Sequence, residues 1–264
     1  MKRDKLKLQR FELNYLIEEP VAMAIRDLII PHLERDHYGA AWPNSSYPVH
    51  SLYLDSDDLR LYQATLNAEK SRFKLRLRFY EDRHEAPIFF ETKRRRDDHV
   101  QKERCGVKRD ALDWILTGHR PELSHLAARE RQQLAILQRF CEIMKSLNAR
   151  PRAHVSYFRE AWVQQDENSL RVTMDRQVQA EPETNARLCQ EMTRPVLLFG
   201  SKVVLKLKWT RRLPLWFEEL TKTFGLRPCS APKYGHPLLR METLSGTGLQ
   251  EKSLANEPDA ALFA

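Results

Sequence analysis

The sequence predicts an α+β fold organised around antiparallel strands, and three observations carry the prediction. At least five short segments alternate basic and apolar residues, the period-two spacing at which a strand sends neighbouring side chains to opposite faces. Other stretches turn to helical period and are apolar on one side. The 264 residues, 42% of them hydrophobic, suffice for one substantial core, and neither an internal repeat nor a linker divides them.

The opening LKLQRFELNYLI alternates, with Arg10, Glu12 and Asn14 on one face and Phe11, Leu13 and Tyr15 on the other. EEPVAMAIRDLIIPHLERD follows at helical period, with Pro20 in the first turn, where a missing N–H does no harm. HYGAAWPNSS clusters turn residues and reads as a loop. VHSLYLDSDD reads as a strand running into a helix-capping sequence, and LRLYQATLN continues as a short helix. RFKLRLRFY then sets Lys74, Arg76 and Arg78 against Leu75, Leu77 and Phe79. In IFFETKRRR, Phe89, Glu91, Lys93 and Arg95 share a face, and QKERC carries Lys102 and Arg104 on one side of a further short strand.

From Arg109 to Leu147 the pattern is helical, and strands then return. HVSYFREAWV holds Tyr157 and Arg159 in phase, and LRVTMDRQV does the same for Arg171, Thr173 and Asp175. SKVVLKLKW places Lys206 and Lys208 opposite Leu205, Leu207 and Trp209. LPLWFEELTKTFGL is an amphipathic helix between Pro214 and Gly225, and CSAPKYGHPLLRM crosses back as a turn. One domain over 1–242 is expected, with a polar, patternless and disordered tail over 243–264.

A net charge of +8 calls for an anionic partner. Mean hydropathy is −0.61, and no run of about 18 apolar residues reads as a membrane span. The charged N-terminus lacks the apolar stretch of a signal peptide, so a cytoplasmic location is expected. Cys105, Cys141, Cys189 and Cys229 are scattered without a CxxC pair, which points to neither a zinc site nor a disulfide framework.

A broad basic face on an open sheet and the lining of a closed antiparallel barrel share this periodicity. In the closed case the interior must be wet, carry carboxylates or hold an anion, because unpaired cations are costly in a dry interior. Glu12, Glu91 and Asp175 lie in phase with the cations and supply part of the balance.

Eight pieces in order, RFELNY, SLYLDSDDLRLY, RFKLRLRFY, FFETKRR, SYFREAW, RVTMDR, VVLKLKW and APKYG, resemble the VTC domain, the polyphosphate polymerase branch of the triphosphate tunnel (CYTH-like) superfamily. The resemblance implies an eight-stranded antiparallel β-barrel tunnel with helices packed outside, its basic lining holding a triphosphate or a growing polyphosphate chain. Carried onto this chain, the phosphate-binding set is Lys74, Arg76, Arg78, Lys93, Arg159, Arg171, Lys208 and Lys233, with Lys233, Arg76 and Arg78 nearest the chemistry. It also implies ATP or another nucleoside triphosphate as phosphoryl donor, polyphosphate as product, and a divalent ion, manganese or magnesium, as cofactor. Some relatives work with a membrane-protein partner, which would bring such a domain to the inner face of the membrane.

Two positions depart from the family pattern. Asn14 stands where a lysine is usual, and Lys206 stands where a metal-holding glutamate is usual. Lys206 thereby joins the phosphate-binding set, and the carboxylates left to hold an ion are Glu12, Glu91 and Asp175. Either the tunnel binds phosphate chains without turning them over well, or a metal held mostly by substrate phosphates sustains the reaction. A nucleic-acid-binding module is disfavoured, because Phe73 and Phe79 fall opposite the cations of their strand, although Phe89 lies in phase with Lys93.

Overall fold

In the computed structural model, residues 10–42, 44–96, 99–165, 169–210, 212–229, 231 and 233 are described. The elements run β1 (Arg10–Ile17), α1 (Glu19–Ile29), β2 (Glu34–Arg35), α2 (His37–Ala40), β3 (Ser46–Asp55), α3 (Arg60–Leu66), β4 (Ser71–Phe79) and β5 (Ile88–Arg96). They continue with β6 (His99–Val107), α4 (Leu112–Leu116), α5 (Arg131–Ser146), β7 (Arg150–Val163), β8 (Leu170–Pro182), β9 (Val196–Leu197), β10 (Val203–Thr210) and α6 (Leu215–Thr223). The tail expected over 243–264 lies outside the described residues.

Eight long strands form one antiparallel path in the order β1-β10-β8-β7-β3-β4-β5-β6, with β2 and β9 attached to β7 and β8. This is the antiparallel sheet with helices that the sequence predicts. Among the described residues the hydrogen-bonded ladder does not close, because β1 and β6 end the path without pairing to each other. The sheet is nonetheless strongly curled. Lys93 on β5 lies within Coulombic reach of Glu12 on β1, six strands away along the path. The segment after α6 covers part of the free β1 edge, where Cys229 N–H donates to the Asn14 carbonyl at 2.8 Å.

Alternation decides the two faces. On the convex side, Leu75, Leu77, Phe90 and Cys105 pack beneath α5 through Leu137, Phe140 and Met144. At the other end of the path, Tyr15, Leu205, Leu207 and Val172 pack against α1 and α6. Trp209 stacks on Phe11 with ring centroids 5.5 Å apart, whereas Trp216 stacks on His32 at 4.7 Å. The cations opposite these residues face the concave side.

Helical segments proved shorter than their periodicity predicts. α1 stops at Ile29 because Pro31 cannot continue the hydrogen-bond ladder, and Glu34–Arg35 beyond it pairs with β7. The helical pattern from Arg109 to Leu147 resolves into α4 and α5, as DALDWIL and LAARERQQLAILQRFCEIMKSL read, with Gly118 at φ +93° and Pro121 between them, and α5 begins only at Arg131. HYGA, expected in a loop, forms α2 because Asp36 caps it, accepting from Gly39 N–H at 2.8 Å.

β8 carries a bulge that the period-two pattern does not show. Ser156 opposes Gln179 while Phe158 opposes Arg176, and Gln177 sits at φ +48°. The extra residue reverses the phase, so Asp175 and Val178 face the same side of the sheet.

His50 and His154 meet on the convex side, Nδ1 to Nε2 at 3.1 Å, with Phe79 stacked on His50 at 5.0 Å. Burial lowers both pKa values from 6.5 to about 4, assisted at His50 by the facing His154 and at His154 by Arg187. Between pH 6.5 and 4.5 the unfolded chain therefore binds protons that the folded chain refuses, and stability falls as pH falls. The loss over that window is as much as about 5 kcal/mol for two such groups. Urea unfolding at pH 7 and pH 4.5 should show it, and a His50→Gln/His154→Gln variant should flatten the difference. An unchanged pH slope in that variant would assign the loss to other groups.

Candidate functional site

Eleven cationic side chains converge on the concave face among the described residues. β4 supplies Lys74, Arg76 and Arg78, β5 Lys93, and β6 Lys102 and Arg104. β7 supplies Arg159, β8 Arg171, and β10 Lys206 and Lys208, while Lys233 enters from the segment after α6. Each strand contributes through alternation, so the array is written locally and assembled by register.

Four carboxylates sit among these cations, each already engaged. Glu91 is 1% exposed and receives Arg76 (Nη2 to Oε2, 2.6 Å), Lys102 (2.8 Å), Arg104 (3.5 Å) and Arg78 (3.9 Å). Burial alone would raise its pKa, but Arg76, Arg78 and Lys102 outweigh burial and hold the carboxyl well below its usual range. Asp175, fully buried, accepts both Arg159 donors at 2.7 and 2.9 Å and also binds Lys233. Burial opposes its charge too, and Arg159 and Lys233 override it. Glu12 stands 3.2 Å from Lys208 and 3.8 Å from Lys206, and these lysines bring it to about 2 against the effect of burial. At one edge Asp36 binds Arg171 at 2.7 Å and accepts from Tyr47 at 3.0 Å.

The cations still outnumber the carboxylates, and the titrating groups register the excess. Burial followed by neighbouring positive charge lowers Lys74 and Lys206, brings Lys102 and Lys208 to about 8, and puts Lys233 well below the usual lysine range. Tyr53 is fully enclosed, which would raise its phenol, yet Arg76, Lys74 and Arg78 pull it down to about 8. Arg76 also donates to Tyr53 at 3.3 Å, and Arg78 donates to Tyr157 at 3.3 Å. Lys233 Nζ lies 3.4 Å from the centroid of the Tyr157 ring. Lys74 and Lys93 make no ion pair among the described residues. Asn14 and Thr173 flank Lys206 in register, and their Oδ1 and Oγ1 are buried without a hydrogen-bond partner among the described residues.

The three carboxylates that the sequence offers as metal ligands do not fit that role here. Glu12, Glu91 and Asp175 lie in separate nests of the protein's own cations, with Lys206 between the first and the last. A divalent ion needs several oxygens free to converge on it, and no group of three acidic or histidine ligands converges among the described residues. The donor set suits anions.

Every residue of the sequence-derived phosphate set reaches this face, though Arg171 is partly neutralised by Asp36. Lys102 and Arg104 belong to it as well. Their alternation is legible in QKERC, but only the β5–β6 register aims them at Glu91. Tyr157 stands in phase with Arg159 in the sequence, whereas Tyr53 had no signal of its own.

No curated protein matches the chain. Among solved structures, the PH1819 protein of Pyrococcus horikoshii is 11% identical with a TM-score of 0.46, over 88% of this chain and 99% of that one. A candidate adenylate cyclase from Bacillus halodurans is 11% identical with a TM-score of 0.44, over 85% and 96%. Another from Vibrio parahaemolyticus is 9% identical with a TM-score of 0.43, over 88% and 98%. The VTC domain profile matches residues 9–241, and the chain belongs to the VTC domain family.

Proposed function

We propose that the concave face is the wall of a β-barrel tunnel that binds triphosphate or inorganic polyphosphate. The observation that supports this reading best is the surplus of cations over carboxylates on one buried face, with Tyr53 titrating near 8 inside it. Phosphate oxygens would accept two donors each from Arg76, Arg78 and Arg159, and the lysines would act as adjustable point charges. The Thr173 hydroxyl, left without a partner beside Lys206, would lend a further donor. The apolar backs of the same strands place Phe79 in the core, away from any stacked base on that strand, which speaks against a nucleic-acid groove there.

Within this reading the chain transfers the γ-phosphoryl group of a nucleoside triphosphate to polyphosphate. A terminal polyphosphate oxygen attacks the γ-phosphorus, the bond to the β,γ-bridging oxygen breaks, and a nucleoside diphosphate leaves. Lys233, Arg76 and Arg78 would stabilise charge on the group in transit. The saturated carboxylates and Lys206 favour a second reading, in which phosphate chains are bound without turnover. No described helix is long and apolar enough to cross a membrane.

Titration calorimetry with tripolyphosphate tests the binding. Below pH 8 Lys102 and Lys208 are charged, and above it they lose their protons, so affinity should fall as pH rises through 8. The bound anion raises those pKa values, so binding near pH 8 should take up protons, visible as a dependence of the heat on the buffer. Absence of tripolyphosphate binding at pH 7 and low salt would end the tunnel reading.

A further inference from the structure

An aromatic ladder leads outward from the Glu91 nest. Arg104 lies 3.5 Å from Glu91 Oε1, its guanidinium carbon is 3.5 Å from the Phe89 ring centroid, and it donates to Tyr80 at 3.4 Å. Tyr80 meets Phe89 edge-on at 5.9 Å and stacks on Tyr38 at 5.5 Å with only 15° between the rings. Tyr38 also touches Tyr47 at 5.7 Å, and Tyr47 stands opposite Arg159 in the β3–β7 register. Tyr38 is 49% exposed, so the ladder ends on an aromatic ring open to solvent, while its other end joins the phosphate-binding cations.

A core aromatic needs no such position. A ligand with a polyanionic chain at one end and a flat π-system at the other matches both ends of the ladder. We infer that Tyr38, backed by Tyr80, is the base-stacking subsite for a nucleoside triphosphate whose phosphates occupy the Arg76–Glu91–Arg104 region. The inference rests on the triphosphate-binding reading and adds a specificity determinant to it: the phosphate wall treats nucleotide and inorganic chain alike, and Tyr38 distinguishes them. Stacking is tolerant of sequence because every base has a π-face, so purines should bind more tightly than pyrimidines through area alone. Tyr38 sits at the start of α2, whose cap comes from Asp36, so its removal leaves the cap in place.

The test compares ATP, CTP and tripolyphosphate by calorimetry on the whole chain and on Tyr38→Ala and Tyr38→Trp. Tyr38→Ala should weaken ATP about tenfold and leave tripolyphosphate within about twofold, since one stacked base carries that much. Tyr38→Trp should retain ATP affinity, which separates the loss of a π-face from a collapse of α2. Equal weakening of ATP and tripolyphosphate in Tyr38→Ala, or no change in either, overturns the subsite while leaving the phosphate wall intact. Failure of the wild-type chain to bind tripolyphosphate overturns the wall itself and the subsite with it.

Discussion

Asp175→Asn should destabilise the protein by about 3–5 kcal/mol at pH 7, the range found when one partner of a buried ion pair is removed. Asp175 is fully buried and is the carboxylate shared by Arg159 and Lys233, with Lys206 adding to the positive field around it. Asparagine keeps the shape and loses the charge. Arg159 and Lys233 would then be buried facing one another with a dipole between them in place of an anion. Urea unfolding of the two proteins measures the loss. The same experiment with tripolyphosphate distinguishes a structural role from a site held ready for an anion. A ligand at a hundred times its Kd stabilises by about 2.7 kcal/mol, and the variant should recover at least that share because a phosphate replaces the missing charge. A loss below about 1 kcal/mol would show that solvent reaches these cations and screens them.

Lys206→Glu should convert metal-indifferent binding into metal-dependent binding. Lys206 stands 3.8 Å from Glu12 and raises the positive field at Asp175. The substitution reverses the local charge by two and sets a third carboxylate between those two, beside the buried oxygens of Asn14 and Thr173. Tripolyphosphate affinity in the presence of a chelator should fall about ten- to a hundredfold, the scale of two unit charges at partly buried separation. Manganese should restore it, since a hard divalent ion takes several oxygen ligands. Lys206→Met, which loses one charge and gains no ligand, should fall less and should not respond to manganese. Polyphosphate synthesis from ATP belongs in the same assay. Product from the wild type would show that turnover survives with lysine at this position. Product from Lys206→Glu alone would show that the tunnel retains everything but its metal ligand. Equal sensitivity of wild type and variant to the chelator would refute the expectation that a carboxylate at this position creates a metal site.

The strand periodicity made most of the fold readable. KLRLR, FETK and KLK place their cations on one face because a strand has no other choice, and the apolar residues between them have to be covered by helices. That local rule put the cations of each strand on one face without knowledge of pairing, while the phosphate-binding set among them, Lys233 included, came from the resemblance to the VTC domain. The rule failed where the chain departs from period two or from its neighbours. Gln177 reverses the phase of β8 in a way that no residue type there announces. Pro31 cuts a helical stretch whose apolar spacing continues past it. Lys102 and Arg104 were visibly in phase, but their place around Glu91 depends on a register fifteen or fewer residues away across a turn.

What the sequence determined by itself is the character of each strand face: which residues are cationic, which are apolar, and that they alternate. Backbone geometry fixes this at every residue. What only the tertiary structure decided is which charges meet. Asp36 binds Arg171 from 135 positions away, Glu160 takes Arg26 from 134, and Lys233 reaches Asp175 from 58. These partners are selected by strand order, register and one bulge, and by the cost of leaving a buried charge alone, none of which is encoded within the span of a single strand. The unclosed ladder between β1 and β6 was decided at the same level, because closure depends on the accumulated curl of eight strands and on the segment that occupies the β1 edge.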